Sequence, residues 1–169
     1  DAPWGHRSKV HFVFGNLRFG GRRRDTTLVM GHYARGSRRV IPVRECPVPD
    51  ERGNAFAFRA RDVFTAAALN AAGADRGVLR SLVVRVGCHT PEIMATVVVS
   101  TDSDRRLRTA TRRLLAVDPP TSAHLNLHDR DDAFIFGERT RRLLGSERMR
   151  ERVTGASYLL SPTAFFQTN

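Results

Sequence analysis

The stretch that most constrains the fold runs from Leu79 to Ser100. Leu79 to Val86 reads as a strand with Leu82, Val84 and Val86 on one face. Ile93 to Ser100 returns after the turn Gly87-Cys88-His89-Thr90-Pro91-Glu92. In the second strand Val97-Val98-Val99 is continuous rather than alternating. A strand that is apolar on both sides is covered on both sides, which puts it in the interior of a sheet.

The flanking sequence supplies more strands and two helices. Lys9 to Phe14 alternate as a strand, and Thr26 to Tyr33 form a second, giving an antiparallel hairpin. Between them, Asn16 to Arg24 make a glycine- and arginine-rich loop with Gly20-Gly21-Arg22-Arg23-Arg24, either a solvated turn or a phosphate-contacting tip. Arg35-Gly36-Ser37-Arg38-Arg39 turns the chain into a third strand, Val40 to Val43, and Glu45-Cys46-Pro47 follows. Asn54 to Ala72 reads as a helix capped by Asn54 and stopped by Gly73, with Phe56, Val63, Phe64, Ala67 and Leu69 as its apolar side. Asp102 to Val117 reads as a second helix, with an apolar stripe of Leu107, Ala110, Thr111, Leu114 and Leu115 and a break at Asp118-Pro119-Pro120. Arg105, Arg106, Arg108, Arg112 and Arg113 lie off that stripe, as either a solvated basic face or an RNA contact.

Ala123 to His128 alternate as a strand, Asp129-Arg130-Asp131-Asp132 is a polar turn, and Ala133 to Phe136 returns as a hairpin partner. Arg139 to Gly145 is a short strand or turn, and Glu147 to Val153 is short and amphipathic. Ala156 to Leu160 is a last short strand, ended by Ser161-Pro162. The expected fold class is α+β: a largely antiparallel sheet with two covering helices on one face.

At 169 residues the chain is long enough for one domain with a real core. Its net charge of +11, from 28 basic and 17 acidic residues, favours a polyanionic partner, nucleic acid first. Lys9 is the only lysine. The rest are arginines, which suit bidentate phosphate contact, although a GC-rich genome produces the same bias. Two cysteines, Cys46 and Cys88, are too few for a disulfide scaffold and fit a reducing cytosol. No apolar run approaches the roughly 20 residues of a membrane helix, and no signal peptide opens the chain. The first residue is not Met, so position 1 reads as a cut or processed end.

Few residues suggest chemistry of their own. Cys88 and His89 are neighbours in a turn without Cys or His partners at zinc spacing. His124 and His128 lie roughly 13 Å apart if they share a strand, too far to hold one ion. The final stretch, Ser161-Pro162-Thr163-Ala164-Phe165-Phe166-Gln167-Thr168-Asn169, is different. Two adjacent aromatics and an amide can form a wall for a planar ring, because aromatic faces stack bases and an amide reads a base edge.

"GASYLL" followed by "SPTAFFQTN" resembles the entry to the methyl-donor domain of the RNA (uracil-5-)-methyltransferase family, which makes 5-methyluridine in tRNA or rRNA. "HRSKVHFVF", "GHYARGSRRVIPVRECPV", "LRSLVVRVGCHTPEIMATVVV" and "SAHLNLHDRDDAFIFGERTRRLLG" resemble the family in the same order. The resemblance spans nearly the whole chain but only the middle of such a protein.

The resemblance implies a central RNA-binding domain over residues 1–155. Residues 156–169 then lead into an absent S-adenosylmethionine-binding, Rossmann-like domain. By the resemblance, Phe165 and Gln167 contact the substrate base; the basic residues Arg7, Lys9, Arg22, Arg23, Arg24 and Arg38 are expected as further substrate contacts on the ground of charge. Gln167 also faces the donor, and Asn169 braces the turn into the next domain. Several family members hold a 4Fe-4S cluster, and Cys46 of "ECPV" matches the last of its four ligands; the three upstream cysteines are not in this chain. The nucleophilic Cys, the base and the donor's glycine turn belong to the absent domain. The segment alone is therefore expected to be inactive. The partner implied is RNA, with no membrane, a monomeric state and a cytoplasmic location. Two other readings remain open: a non-catalytic RNA-binding module on the same scaffold, and a basic α+β domain with a protein partner.

Overall fold

The computed structural model describes residues 4–18, 26–73 and 76–166. Eleven elements follow one another: β1 (Lys9–Arg18), β2 (Thr26–Tyr33), β3 (Val40–Pro42), α1 (Glu51–Ala66), β4 (Leu79–Val86), β5 (Ile93–Val99), α2 (Arg105–Ala116), β6 (Ser122–Leu127), β7 (Arg139–Gly145), β8 (Met149–Val153) and β9 (Ala156–Leu160). Seven strands form one sheet in the order β3-β2-β1-β4-β5-β6-β7, and β8 pairs with β9 as a separate hairpin. The fold is α+β, as the alternation implied.

The valine-rich strand β5 lies between β4 and β6, and Met94 through Val99 are all buried. Its pairing with β6 is parallel, whereas every other pairing in the sheet is antiparallel. A parallel neighbour requires a crossover, and α2 supplies it. Asp104 caps α2 by accepting from the backbone N–H of Arg106 at 2.6 Å and of Leu107 at 3.2 Å.

α1 begins earlier than the sequence pattern indicates. Asp50, not Asn54, is its cap, accepting from Arg52 N–H at 2.8 Å. Asn54 sits inside the first turn, and its side-chain amide donates to the Cys46 carbonyl. The helix also ends earlier, with Ala67 as C-cap and Ala68 at φ 51°, so Gly73 is not its stop. A periodic apolar pattern does not distinguish the last helical turn from the packed chain after it, because Leu69 and Ala71 are buried too.

The segment 133–136 also departs from expectation. It is not a strand; β7 is the partner of β6. Asn126 holds the intervening loop by accepting from Gly137 N–H at 2.8 Å and donating to the Gly137 carbonyl at 2.9 Å. Side-chain bonds from a buried strand residue here replace a ladder.

Both helices pack on one face of the sheet. Phe56, Ala57, Ala60 and Phe64 of α1 and Leu107, Ala110 and Leu114 of α2 meet Phe12, Phe14, Met30, Leu82, Val84, Val97 and Leu125 in a single apolar core. The opposite face is buried as well but carries Ser81, Arg85, Thr96, Ser122, His124 and Asn126. The β8–β9 hairpin is tied to the turn after β4. Glu151, 1% exposed, accepts from Cys88 N–H at 2.8 Å and His89 N–H at 3.3 Å, and Arg150 N–H donates to Glu92 at 2.6 Å.

Candidate nucleic-acid interface

The start of β1 is held against the chain before α1. Gly5 N–H donates to the Pro47 carbonyl at 2.8 Å, Arg7 N–H to Val48 at 3.1 Å, and Asp50 N–H to Arg7 at 3.0 Å. This places Arg7, Ser8 and Lys9 beside Val48 and Pro49. β2 contributes His32, which stacks on Phe12 with centroids 5.1 Å apart, and Cys46 lies 3.9 Å from the His32 Nε2. From the far end of the sequence come Phe165 and Phe166. Phe166 contacts the Tyr158 ring at 5.6 Å, while Phe165 is 87% exposed.

These residues enclose a cavity of about 600 Å³, with Val10 and His11 completing the lining. Arg7, Lys9, Cys46 and Phe165, nominated from separate parts of the sequence, therefore share one site. Among the described residues no carboxylate lines it, so the cavity is cationic with an aromatic wall. Burial, and then the Arg85 guanidinium, hold Lys9 below the usual amine value. Burial, with Lys9 and His32 as lesser contributors, holds His11 down to about 4, so it is a neutral imidazole at physiological pH.

The remaining nominated residues fare differently. Arg38 is away from the cavity, on the β2–β3 turn, and pairs with Asp131 at 2.5 Å with both side chains largely exposed. Arg22, Arg23, Arg24, Gln167 and Asn169 lie outside the described residues. Cys46 has no set of thiolates around it: the chain has only two cysteines, and no group of three metal-ligating side chains occurs among the described residues. The residues present do not fit a four-thiolate cluster. The described residues contain no helix long and apolar enough to cross a membrane.

One residue of the lining, His11, and one that supports it from outside, Arg85, had no signal in the sequence. His11 was legible only as the polar member of an alternating strand. Arg85 looked like an ordinary charge in β4, yet it is 3% exposed and reaches the segment that carries Phe165.

No family model matches the chain. Curated relatives do. An "uncharacterized RNA methyltransferase" of Parasynechococcus marenigrum is 35% identical over 151 residues, which is 88% of this chain and 32% of the relative. A protein of the same description from Gloeobacter violaceus is 30% identical over 168 residues, 98% of this chain and 35% of the relative. Among solved structures, the Pyrococcus abyssi tRNA (uracil-54, C5)-methyltransferase in complex with S-adenosyl-L-homocysteine superposes with a TM-score of 0.71 at 23% identity, over 98% of this chain and 38% of that one. The likeness read from the motifs is thus borne out. The chain is a relative of the RNA methyltransferases, and it has the fold of the corresponding part of a tRNA (uracil-54, C5)-methyltransferase. It spans about a third of the length of the curated relatives it matches.

Proposed function

We propose that this chain is the RNA-holding part of an S-adenosylmethionine-dependent RNA methyltransferase that modifies C5 of a uridine in tRNA or rRNA. Residues 1–155 hold RNA, and residues 156–169 lead into the donor-binding domain; the division falls at the turn of the β8–β9 hairpin. The observation that carries the reading is the cationic cavity in which Arg7, Lys9 and Phe165 meet.

A uridine inside a stack exposes neither C5 nor C6 to a nucleophile and a methyl donor. Extrusion costs a few kcal/mol, and stacking on an aromatic ring offsets about 1–3 kcal/mol of that. In this reading Phe165 supplies the stack, Arg7 and Lys9 hold the phosphates on either side, and Gln167 reads the base edge and faces the donor. S-adenosylmethionine itself is held by a glycine turn outside this chain, with the nucleophilic Cys and the base. The protein works as a cytoplasmic monomer. Cys46 has a role in a 4Fe-4S cluster only if a longer protein supplies the other three thiolates.

Two measurements test the reading. Filter binding of structured RNA across a salt series should show a steep slope of log K on log salt. Replacing Arg7 and Lys9 by Ala should flatten it by roughly 0.7–0.9 for each phosphate no longer held. In a chain extended through the donor-binding domain, Phe165→Ala and Gln167→Ala should lower single-turnover methyl transfer far more than RNA affinity, since phosphate contacts supply most of the affinity. Wild-type rates in both variants would remove the base pocket from this stretch.

A further inference from the structure

Arg85 and Lys9 are cross-strand partners in the β1–β4 ladder. Two cations side by side repel, and Arg85 is also 3% exposed, so burial pulls its guanidinium below its ordinary value. Among the described residues no carboxylate pairs with it. Such a group is retained at a cost unless its N–H donors are used.

Two of them are used on the last described residues. Nη2 donates to the carbonyl of Ala164, and Nη1 donates to the carbonyl of Phe166 at 3.3 Å. The two acceptors flank Phe165 in the chain. Among the described residues the segment 161–166 joins no ladder; a bond from Ala164 N–H to the Ser161 carbonyl at 3.2 Å closes one turn. Phe165, 87% exposed, has no burial to fix its place. The planar guanidinium spans two carbonyls in a way that the point charge of a lysine does not.

We propose that Arg85 is a positioning residue that clamps the 164–166 backbone to the buried face of the sheet, and so sets Phe165 at the mouth of the nucleotide cavity. This rests on the nucleotide reading of that cavity. The clamp itself does not, because it is a property of the fold that can be measured without RNA.

The test uses the 169-residue chain with Arg85→Met, which keeps most of the side-chain volume and removes the donors, and Arg85→Lys, which keeps the charge without the fork. Hydrogen exchange of the Ala164 amide, which closes the turn on the Ser161 carbonyl, should be about tenfold faster in Arg85→Met, the scale set by removing bonds from a charged donor, with Arg85→Lys between it and wild type. Exchange in β4 and β5 should be unchanged, which separates release of the segment from loss of the fold. An NMR titration with uridine 5′-monophosphate should then show weaker binding in Arg85→Met and in Phe165→Ala. Unchanged exchange at Ala164 overturns the clamp. If Phe165→Ala weakens nucleotide binding and Arg85→Met does not, the positioning role falls while the pocket stands. If Phe165→Ala has no effect on nucleotide binding, the pocket reading falls, and faster exchange in Arg85→Met leaves Arg85 as an anchor of the chain end with no nucleotide to serve. Should Arg85→Met not fold, Arg85→Lys decides: wild-type exchange at Ala164 overturns the proposal, and faster exchange supports it.

Discussion

The two faces of the sheet solve different problems. The helix-covered face is apolar and redundant, with Phe12, Phe14, Leu82, Val84 and Val97 packed on Phe56, Phe64 and Leu114. The other face is also buried, yet it holds Arg85, Thr96, Ser122, His124 and Asn126, and the Arg85 Nε and Ser122 Oγ have no hydrogen-bond partner among the described residues. Apolar contacts are non-directional and tolerate a neighbour of similar volume. Buried polar groups tolerate only the partner they have, because an unmet donor costs more than a satisfied one gains. The first face therefore holds the fold together, and the second fixes where particular segments lie. The cavity that holds Arg7, Lys9 and Phe165 lies at the start of β1, where Lys9 and His11 line it from the second face and Val10 and His32 from the first.

The largest expected effect separates the two faces directly. Phe64 is fully buried between α1 and β1, with its ring 6.0 Å from that of Phe14. Phe64→Ala should cost about 3–5 kcal/mol in urea denaturation, from the burial removed plus a residual cavity. At a temperature where the variant is still folded, its affinity for uridine 5′-monophosphate should match wild type. A variant equally stable to wild type, or one that stays folded but no longer binds the nucleotide, would break the division of labour between the faces.

The helix face was the legible one. Alternation in Lys9–Phe14 and Leu79–Val86, the valine run of β5 and the stripe of α2 each name their own buried side, and the structure has them there. Burial of a strand does not name its partner, so nothing in Ala123–Leu127 revealed that it runs parallel to β5. Ala133–Phe136 looked like a returning strand because it is short and apolar, but it joins no ladder, and the Asn126 side chain holds the loop at the residue that follows, Gly137. The polar face was harder still. Arg7, Lys9, Cys46 and Phe165 were found by motif, and their meeting in one cavity is a product of topology that no local window contains. Arg85 stands in one of the resembling stretches but nothing there marks its role, since its partners are backbone carbonyls about eighty residues away, which any sequence would supply.

The next effect sharpens the contrast through pH. His11 titrates at about 4 in the folded protein against an ordinary 6.5, chiefly because burial disfavours its charged form. His124 is shifted in the same direction by burial and Arg142, with Glu147 opposing. Between pH 6.5 and 4 the unfolded chain takes up protons at His11 that the folded chain does not, so stability rises with pH across this window and falls on acidification. At 1.36 kcal/mol for each pH unit of difference, His11 accounts for about 3 kcal/mol. His11→Asn should flatten the fall between about pH 7 and pH 4 by that amount, measured by urea denaturation at each pH. Equal pH dependence in the variant and wild type would place His11 in contact with water, and the polar face would be less closed than its burial implies.

The smallest effect belongs to a pair outside both faces. Arg38 and Asp131 join the β2–β3 turn to the β6–β7 loop, and both side chains are largely exposed. Exposed pairs of this kind contribute about 0–1 kcal/mol, because water screens the attraction and two side chains must be ordered. Arg38→Ala and Asp131→Ala should therefore leave thermal stability almost unchanged. Their effects on RNA affinity should have opposite signs if Arg38 touches phosphate. Arg38→Ala then takes one cation off the RNA and lowers the salt slope by roughly 0.7–0.9. Asp131→Ala removes the carboxylate that competes with phosphate for the same guanidinium, and so tightens binding. If Arg38→Ala leaves both affinity and salt slope at the wild-type value, Arg38 serves only the ion pair, and RNA recognition by the described residues contracts to the cavity.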